Sequence, residues 1–146
     1  MLQTTTPKQF TCAILDDDEI NRFTLEHYIE LSGSLQLTAS LTGGVEGLEF
    51  FSTDRRVDVL FLDVEMPDLN GLDMLRLLPD PPQVVLTTAH EDFAWDAYEL
   101  RVVDYLIKPF NYDRFQQAIQ RIAERMTHKN FLPHSVPVTN TSANPI

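Results

Sequence analysis

Residues 57–71 read VDVLFLDVEMPDLNG, and this stretch decides the fold class. Val57–Leu62 is almost continuously apolar, and its length and its β-branched and aromatic content favour a strand over a helix. A run without polar alternation is typical of a parallel strand that is covered on both faces. The run ends at a carboxylate, Asp63. The sequence therefore predicts a buried central strand with an acidic side chain at its carboxyl end.

Along the rest of the chain, predicted strands alternate with predicted helices. Further apolar runs with strand character are Thr11–Leu15, Leu35–Leu41, Val84–Thr88 and Val103–Ile107. The amphipathic stretches between and after the runs are Glu19–Ser32, Val45–Phe51, Leu72–Leu78, Phe93–Leu100 and Tyr112–Met126. In the first helix, the predicted apolar stripe consists of Ile20, Phe23, His27, Tyr28 and Leu31. Five strand–helix alternations predict an α/β fold with a doubly wound, five-stranded parallel sheet and five helices.

Length and charge limit the classes of protein that the chain can be. Its 146 residues fit one domain, which we place at residues 9–127, followed by a linker or tail at 128–146. The net charge of −11 argues against direct binding to a nucleic-acid backbone. No apolar run approaches the roughly 18 residues of a membrane span, and the first residues lack a secretory layout. The single cysteine, Cys12, suits the cytoplasm, where we expect the protein to work.

Polar side chains follow four of the five predicted strands. Asp16, Asp17 and Asp18 follow the first, and Asp63, Thr88 and Lys108 end the third, fourth and fifth. Carboxyl ends of parallel strands share one edge of the sheet, so these groups are expected in one pocket. Converging carboxylates repel each other unless a cation lies between them, and oxygen ligands favour Mg²⁺. A lysine and a hydroxyl opposite the cation suit a phosphoryl group, with a carboxylate as its acceptor.

Four segments resemble the receiver domain of bacterial two-component response regulators. They are ILDDDEINRF, VLFLDVEMPDLNGLDML, VVLTTAH and DYLIKPF, in that order along the chain. The resemblance covers roughly residues 10–127 and is closest to receivers that precede a LytTR-type DNA-binding domain. It implies a CheY-like, flavodoxin-like sheet with strand order 2-1-3-4-5.

The resemblance also implies a role for each residue of the pocket. Asp63 matches the phospho-accepting aspartate of the family. Asp17 and Asp16 match the acid pair that holds Mg²⁺ together with the backbone carbonyl of Glu65, although Asp18 is close enough in sequence to intrude. Lys108 would pair with the phosphoryl group, and its bond to Pro109 is expected to be cis.

The remaining matches concern signalling. Thr88 and Tyr105 match the pair of side chains that respond to phosphorylation, and the face of the fourth helix, fifth strand and fifth helix carries the response. Trp95, Tyr98 and Phe110 are candidate contact residues on that face. The implied partners are a sensor histidine kinase, a second copy of the activated chain, and DNA through an effector domain outside this sequence.

Three alternatives remain open at this point. A phosphatase of the haloacid-dehalogenase type would use Asp16 as its nucleophile and Asp18 as its acid or base. The chain could also be a stand-alone receiver, or a degenerate receiver that only binds other proteins. The preferred hypothesis is a phospho-accepting signalling domain that is not an enzyme with a separate substrate.

Overall fold

A computed structural model describes residues 9–131 of the chain. Five strands form one parallel sheet in the order β2-β1-β3-β4-β5, which confirms the predicted fold class and strand order. The strands are β1 Phe10–Leu15, β2 Leu35–Leu41, β3 Val59–Asp63, β4 Gln83–Thr88 and β5 Asp104–Ile107. The helices are α1 Glu19–Ser32, α2 Gly44–Phe51, α3 Gly71–Leu77, α4 Ala94–Glu99 and α5 Tyr112–Phe131.

The sheet separates two apolar cores, one on each face. Leu60, Leu62 and Met74 belong to the core beneath α2, α3 and α4. Phe61 and Phe115 belong to the core beneath α1 and α5, where their rings stack at 5.5 Å between centroids. Successive residues of β3 therefore serve opposite cores, and every residue of that strand is buried. This explains why the strand is continuously apolar up to Asp63.

The buried face of α1 differs from the predicted one. Ile20 and Phe23 are 73% and 58% exposed, and Leu31 is also exposed. Leu25 and Ile29, one helical turn apart, are buried instead. His27 of the predicted stripe is exposed, and burial of its imidazole would need a hydrogen-bond partner, which Leu25 and Ile29 do not need. Tyr28 is the one residue of that stripe that packs against the core, beside Phe115. The helix thus has two apolar stripes, and one of them faces outward.

Element ends also differ in places from the predicted bounds. The fourth helix, predicted at Phe93–Leu100, is α4, and a 3-10 turn at Glu91–Phe93 precedes it. The fifth helix continues to Phe131, beyond the predicted end at Met126. The rest of the predicted linker, residues 132–146, lies outside the described residues. No helix in the described range is both long enough and apolar enough to cross a membrane.

Candidate functional site

The carboxyl ends of three strands bring the predicted acidic and basic residues together. Leu15 of β1 lies beside Leu62 of β3, so the residues that follow, Asp16 and Asp63, are neighbours at this edge of the sheet. Both carboxylates are buried. Lys108 follows β5, and its backbone N–H donates to the carbonyl of Thr88 at 2.7 Å. Three strands therefore fix the positions of two acids and one base.

The lysine binds both buried carboxylates. Lys108 Nζ donates to Asp16 Oδ2 at 3.0 Å and to Asp63 Oδ1 at 3.2 Å. The peptide bond between Lys108 and Pro109 is cis, as predicted. The ammonium group is mostly shielded from solvent, so its two hydrogen bonds to carboxylates are charge-assisted and strong.

Negative charge nevertheless exceeds positive charge at this site. Burial raises the pKa of Asp63 to about 7; Lys108 opposes this rise, while repulsion from Asp16 adds to it. Burial lowers the pKa of the Lys108 ammonium, but the attraction of Asp63 and Asp16 outweighs this and leaves the pKa above its usual value. One ammonium group thus serves two buried acids, and a further cation would relieve their repulsion.

A third carboxylate completes a possible cation site. Oxygen atoms of Asp16, Asp17 and Asp63 all lie within 4.8 Å of one another, and Asp17 is exposed to solvent. An all-oxygen set with one open side suits a hard cation such as Mg²⁺, which keeps several of its waters. Asp18 does not belong to this group. Its carboxylate caps α1 by accepting a hydrogen bond from the Ile20 N–H at 2.9 Å.

Glu65, two residues after Asp63, lies across the mouth of the site. Its N–H donates to Asp63 Oδ1 at 3.2 Å. Its carboxylate accepts a hydrogen bond from the Thr88 hydroxyl at 3.3 Å and lies 2.7 Å from His90 Nε2. Prediction from sequence considered only the backbone carbonyl of Glu65, and the pairing of its side chain with His90 was missed. Neither residue stands in a local pattern that would indicate this contact.

The two predicted responsive residues, Thr88 and Tyr105, are linked through His90. The N–H of His90 donates to the Thr88 hydroxyl at 3.1 Å. The Tyr105 hydroxyl donates to the His90 carbonyl at 2.7 Å and accepts from the Phe93 N–H at 3.2 Å. Tyr105 is therefore held against the 3-10 turn that precedes α4. Of the three predicted contact residues, Trp95 and Tyr98 are 66% and 76% exposed, whereas Phe110 packs on Tyr28.

The loop after Asp63 is held by contacts that the sequence analysis did not anticipate. The Asp68 carboxylate accepts hydrogen bonds at 3.0 Å from the N–H groups of Gly44 and Val45, at the start of α2. These bonds hold the pKa of Asp68 below its usual value. Gly71 packs so closely that a Cβ atom there would collide with the Asp63 carbonyl oxygen. The loop and α2 therefore form one support for Asp63.

A second buried carboxylate, Asp104 at the start of β5, was also missed. Arg114 donates to both of its oxygens, at 2.9 and 2.8 Å, and Arg121 donates to Oδ1 at 2.8 Å. Burial opposes ionisation of Asp104, but the two guanidinium groups outweigh it and lower the pKa of the carboxyl. The two arginines are seven residues apart on α5, which places them on one face of the helix. That spacing is the signal that could have found the cluster.

Fold and site together define a class of protein: a doubly wound α/β domain with a cluster of three carboxylates at the carboxyl edge of its sheet. Comparison with known proteins identifies the family within this class. A family model described as the response regulator receiver domain matches residues 12–120. The chain therefore belongs to the receiver domains of two-component response regulators, as the sequence motifs predicted. The phosphatase alternative is not favoured.

Individual relatives agree with this assignment. An uncharacterised response regulatory protein of Vibrio cholerae is 34% identical over 131 residues, which cover 86% of this chain and 54% of that protein. Transcriptional regulatory protein LytR of Staphylococcus aureus is 30% identical over 112 residues, 75% of this chain and 45% of that protein. The chain spans about half the length of the curated relatives it matches. The REC domain of AraT from Geobacillus stearothermophilus is 29% identical, with a TM-score of 0.72, over 83% of this chain and 98% of that structure.

Proposed function

We propose that Asp63 is the phosphoryl acceptor of this receiver domain. The observation that carries the proposal is its buried carboxylate, which lies at the edge of the sheet and shares the Lys108 ammonium group with Asp16. Asp16, Asp17 and Asp63, with the backbone carbonyl of Glu65, would hold Mg²⁺. The bound ion supplies charge neutralisation for the phosphoryl oxygens.

The reaction is an in-line transfer to a carboxylate oxygen. One Asp63 oxygen forms a bond to phosphorus while the bond from phosphorus to the donor breaks, and the electron pair of that bond stays with the donor. The donor is a phosphohistidine of a sensor kinase, or a small acyl phosphate. Lys108, freed from part of its contact with Asp63, pairs with the phosphoryl oxygens. Phosphoryl transfer needs little beyond such positioning and charge neutralisation.

The response to phosphorylation passes through Thr88 and Tyr105. The new group carries about −1.5 to −2 charge in place of −1, and its oxygens accept hydrogen bonds strongly. The Thr88 hydroxyl moves toward it, and Tyr105 follows into the space that is released. Because Tyr105 binds the turn before α4, the change reaches the face formed by α4, β5 and α5.

Two exposed apolar patches support the proposed protein partners. Ile20 and Phe23 lie at the start of α1, close in sequence to Asp16 and Asp17, and offer a surface for the kinase that delivers the phosphoryl group. Trp95 and Tyr98 on α4 pack on each other at 5.8 Å between ring centroids and face outward. We propose that this second patch forms a homodimer when Asp63 is phosphorylated. The dimer is tested by measuring the mass in solution with and without beryllofluoride, and one unchanged species would contradict it.

The output of the whole protein is proposed from its relatives. We propose that residues 9–127 are the receiver, that residues 128–146 are a linker or tail, and that a LytTR-type DNA-binding domain follows. The chain covers only about half of a relative named as a transcriptional regulatory protein, which favours this arrangement over a stand-alone receiver. DNA would then be bound by the effector domain and not by this acidic chain.

The mass of the intact protein after incubation with acetyl phosphate and Mg²⁺ tests the acceptor. Wild type is expected to gain one phosphoryl group, and Asp63→Asn none. Asp73→Asn, which alters an exposed aspartate on α3, is the matched control and should gain the group as wild type does. Phosphorylation of Asp63→Asn would contradict the proposal and would favour Asp16 as the nucleophile.

A further inference from the structure

His90 contacts each group that has to move when Asp63 is phosphorylated. Its Nε2 atom lies 2.7 Å from Glu65 Oε2, its N–H donates to the Thr88 hydroxyl, and its carbonyl accepts from the Tyr105 hydroxyl. The side chains of Glu65 and His90 are 37% and 59% exposed, so both lie at the mouth of the site. One exposed residue thus joins the loop after Asp63 to the turn before α4.

The Thr88 hydroxyl is engaged in this arrangement. It donates to Glu65 Oε1 at 3.3 Å and accepts from the His90 N–H at 3.1 Å. A hydroxyl group has a single proton to donate. Thr88 therefore has to leave the Glu65 carboxylate before it can donate to a phosphoryl oxygen on Asp63.

The position of the Glu65 carboxylate depends on His90. His90 Nε2 lies 2.7 Å from Glu65 Oε2, and the other oxygen of that carboxylate accepts from the Thr88 hydroxyl, so the carboxylate lies between the two residues. The contact of His90 with Tyr105 extends the same arrangement to the residues before α4. Without the His90 side chain, Thr88 would be the only residue of this set that still holds the Glu65 carboxylate, while Tyr105 would keep its bond to the His90 backbone carbonyl.

We propose that Glu65 and His90 form a latch that stabilises the unphosphorylated arrangement of Thr88 and Tyr105. They are positioning residues, since they act through Thr88 and not on the reacting atoms. Phosphorylation opens the latch in two ways: the added negative charge repels the Glu65 carboxylate, and the phosphoryl oxygens compete for the Thr88 hydroxyl. The latch rests on the proposed function of Asp63.

A latch of this kind makes a quantitative prediction for ligands that mimic the phosphoryl group. Such a ligand binds the open arrangement, so its apparent dissociation constant is the intrinsic constant divided by the open fraction. Removing the latch raises that fraction and tightens binding. A merely structural role for His90 would weaken binding or leave it unchanged, so the direction of the effect is diagnostic.

Titration with beryllofluoride in the presence of Mg²⁺ tests the latch. Binding can be followed by the backbone amide shifts of the protein and by the fluorescence of Trp95, its single tryptophan. His90→Ala is expected to bind roughly two- to fivefold more tightly than wild type, the range for one partly exposed pair. His90→Gln, which can still donate to Glu65, should bind close to wild type.

Two further variants make the test specific. In a Glu65→Ala background, His90→Ala should change the affinity no further, because the partner of His90 is already absent. Glu91→Gln, which removes an exposed charge beside His90, is the matched control and should bind as wild type does. Unchanged or weaker binding by His90→Ala overturns the latch, as does equal tightening in both backgrounds. If wild type binds no beryllofluoride and gains no phosphoryl group, the function of Asp63 itself fails, and the latch fails with it.

Discussion

Asp63 and Asp104 are both buried carboxylates at strand ends, but their partners differ. Asp63, at the end of β3, shares one ammonium group with Asp16. Asp104, at the start of β5, has the guanidinium groups of both Arg114 and Arg121. Accordingly, burial and repulsion raise the pKa of Asp63 to about 7, whereas the arginines lower the pKa of Asp104. Asp63 therefore shares its one positively charged partner with a second carboxylate, whereas Asp104 has two positively charged partners of its own.

The difference separates a group that is ready to bind from a group that supports the fold. In the Asp104 cluster, both carboxylate oxygens accept hydrogen bonds from arginines of α5, which attaches α5 to β5. The Asp63 cluster lacks a second positive charge, and a bound cation would supply it.

Arg114→Met should lower the free energy of unfolding by about 3 kcal/mol, because Asp104 would lose its bidentate partner while remaining buried. Arg56→Met is the matched control, since Arg56 pairs with Asp80 on the surface and should change stability by less than about 0.5 kcal/mol. Urea unfolding measures both. Equal effects would mean that the Asp104 cluster does not support the fold.

Asp63→Asn should raise the free energy of unfolding by about 2 kcal/mol at pH 8 without Mg²⁺, since it removes a buried charge next to Asp16.

The stability of the wild type should also depend on pH because of Asp63. Folded wild type keeps a proton on Asp63 up to about pH 7. The unfolded chain releases that proton near pH 4. Wild-type stability therefore falls across this window as pH rises, and Asp63→Asn should lack this part of the slope. A variant less stable than wild type at pH 8 contradicts the prediction.

Mg²⁺ should stabilise wild type by about 1.4 kcal/mol at ten times its dissociation constant, because it binds only the folded site. Asp17→Asn should lose most of this gain, since Asp17 belongs to the acidic group. Arg114→Met should keep it, because Arg114 binds the other carboxylate cluster. Thermal unfolding with Mg²⁺ or with EDTA measures the difference. A gain that survives Asp17→Asn would place the ion elsewhere.

Thr87→Val should raise the free energy of unfolding by about 1 kcal/mol. Thr87 lies beside Asp63 in the sheet, and its hydroxyl oxygen is buried without a hydrogen-bond partner within the range that the structure covers. Valine has nearly the same shape and no polar atom to satisfy. Thr87→Ser keeps the hydroxyl and serves as the control. Destabilisation by valine would indicate a partner for this hydroxyl.

Much of the fold could be predicted because the apolar runs are distinct. β3 serves a core on each face, so its sequence could not alternate, and β2 and α1 have their predicted bounds. The face of α1 was predicted wrongly for a physical reason. The helix has two apolar stripes, and the side chains of α5 that pack against it decide which stripe is buried. The sequence of α1 alone does not contain that information.

The strand-end residues could be predicted to meet because parallel strands place their carboxyl ends at one edge. Asp16, Asp63 and Lys108 needed only the strand order to become neighbours. The pairing of Glu65 with His90 could not be predicted. It joins two loops through side-chain conformations, and neither residue is part of a strand or helix whose periodicity would orient it.

Gly71 has a consequence for genetics. Any side chain at this position has to displace the carbonyl group of Asp63, although Gly71 itself has no chemical group to contribute to the reaction. Random mutagenesis followed by a screen for lost signalling should therefore recover changes at Gly71 as readily as changes at Asp63. In such alleles Asp63 would be unchanged in sequence but displaced in its backbone.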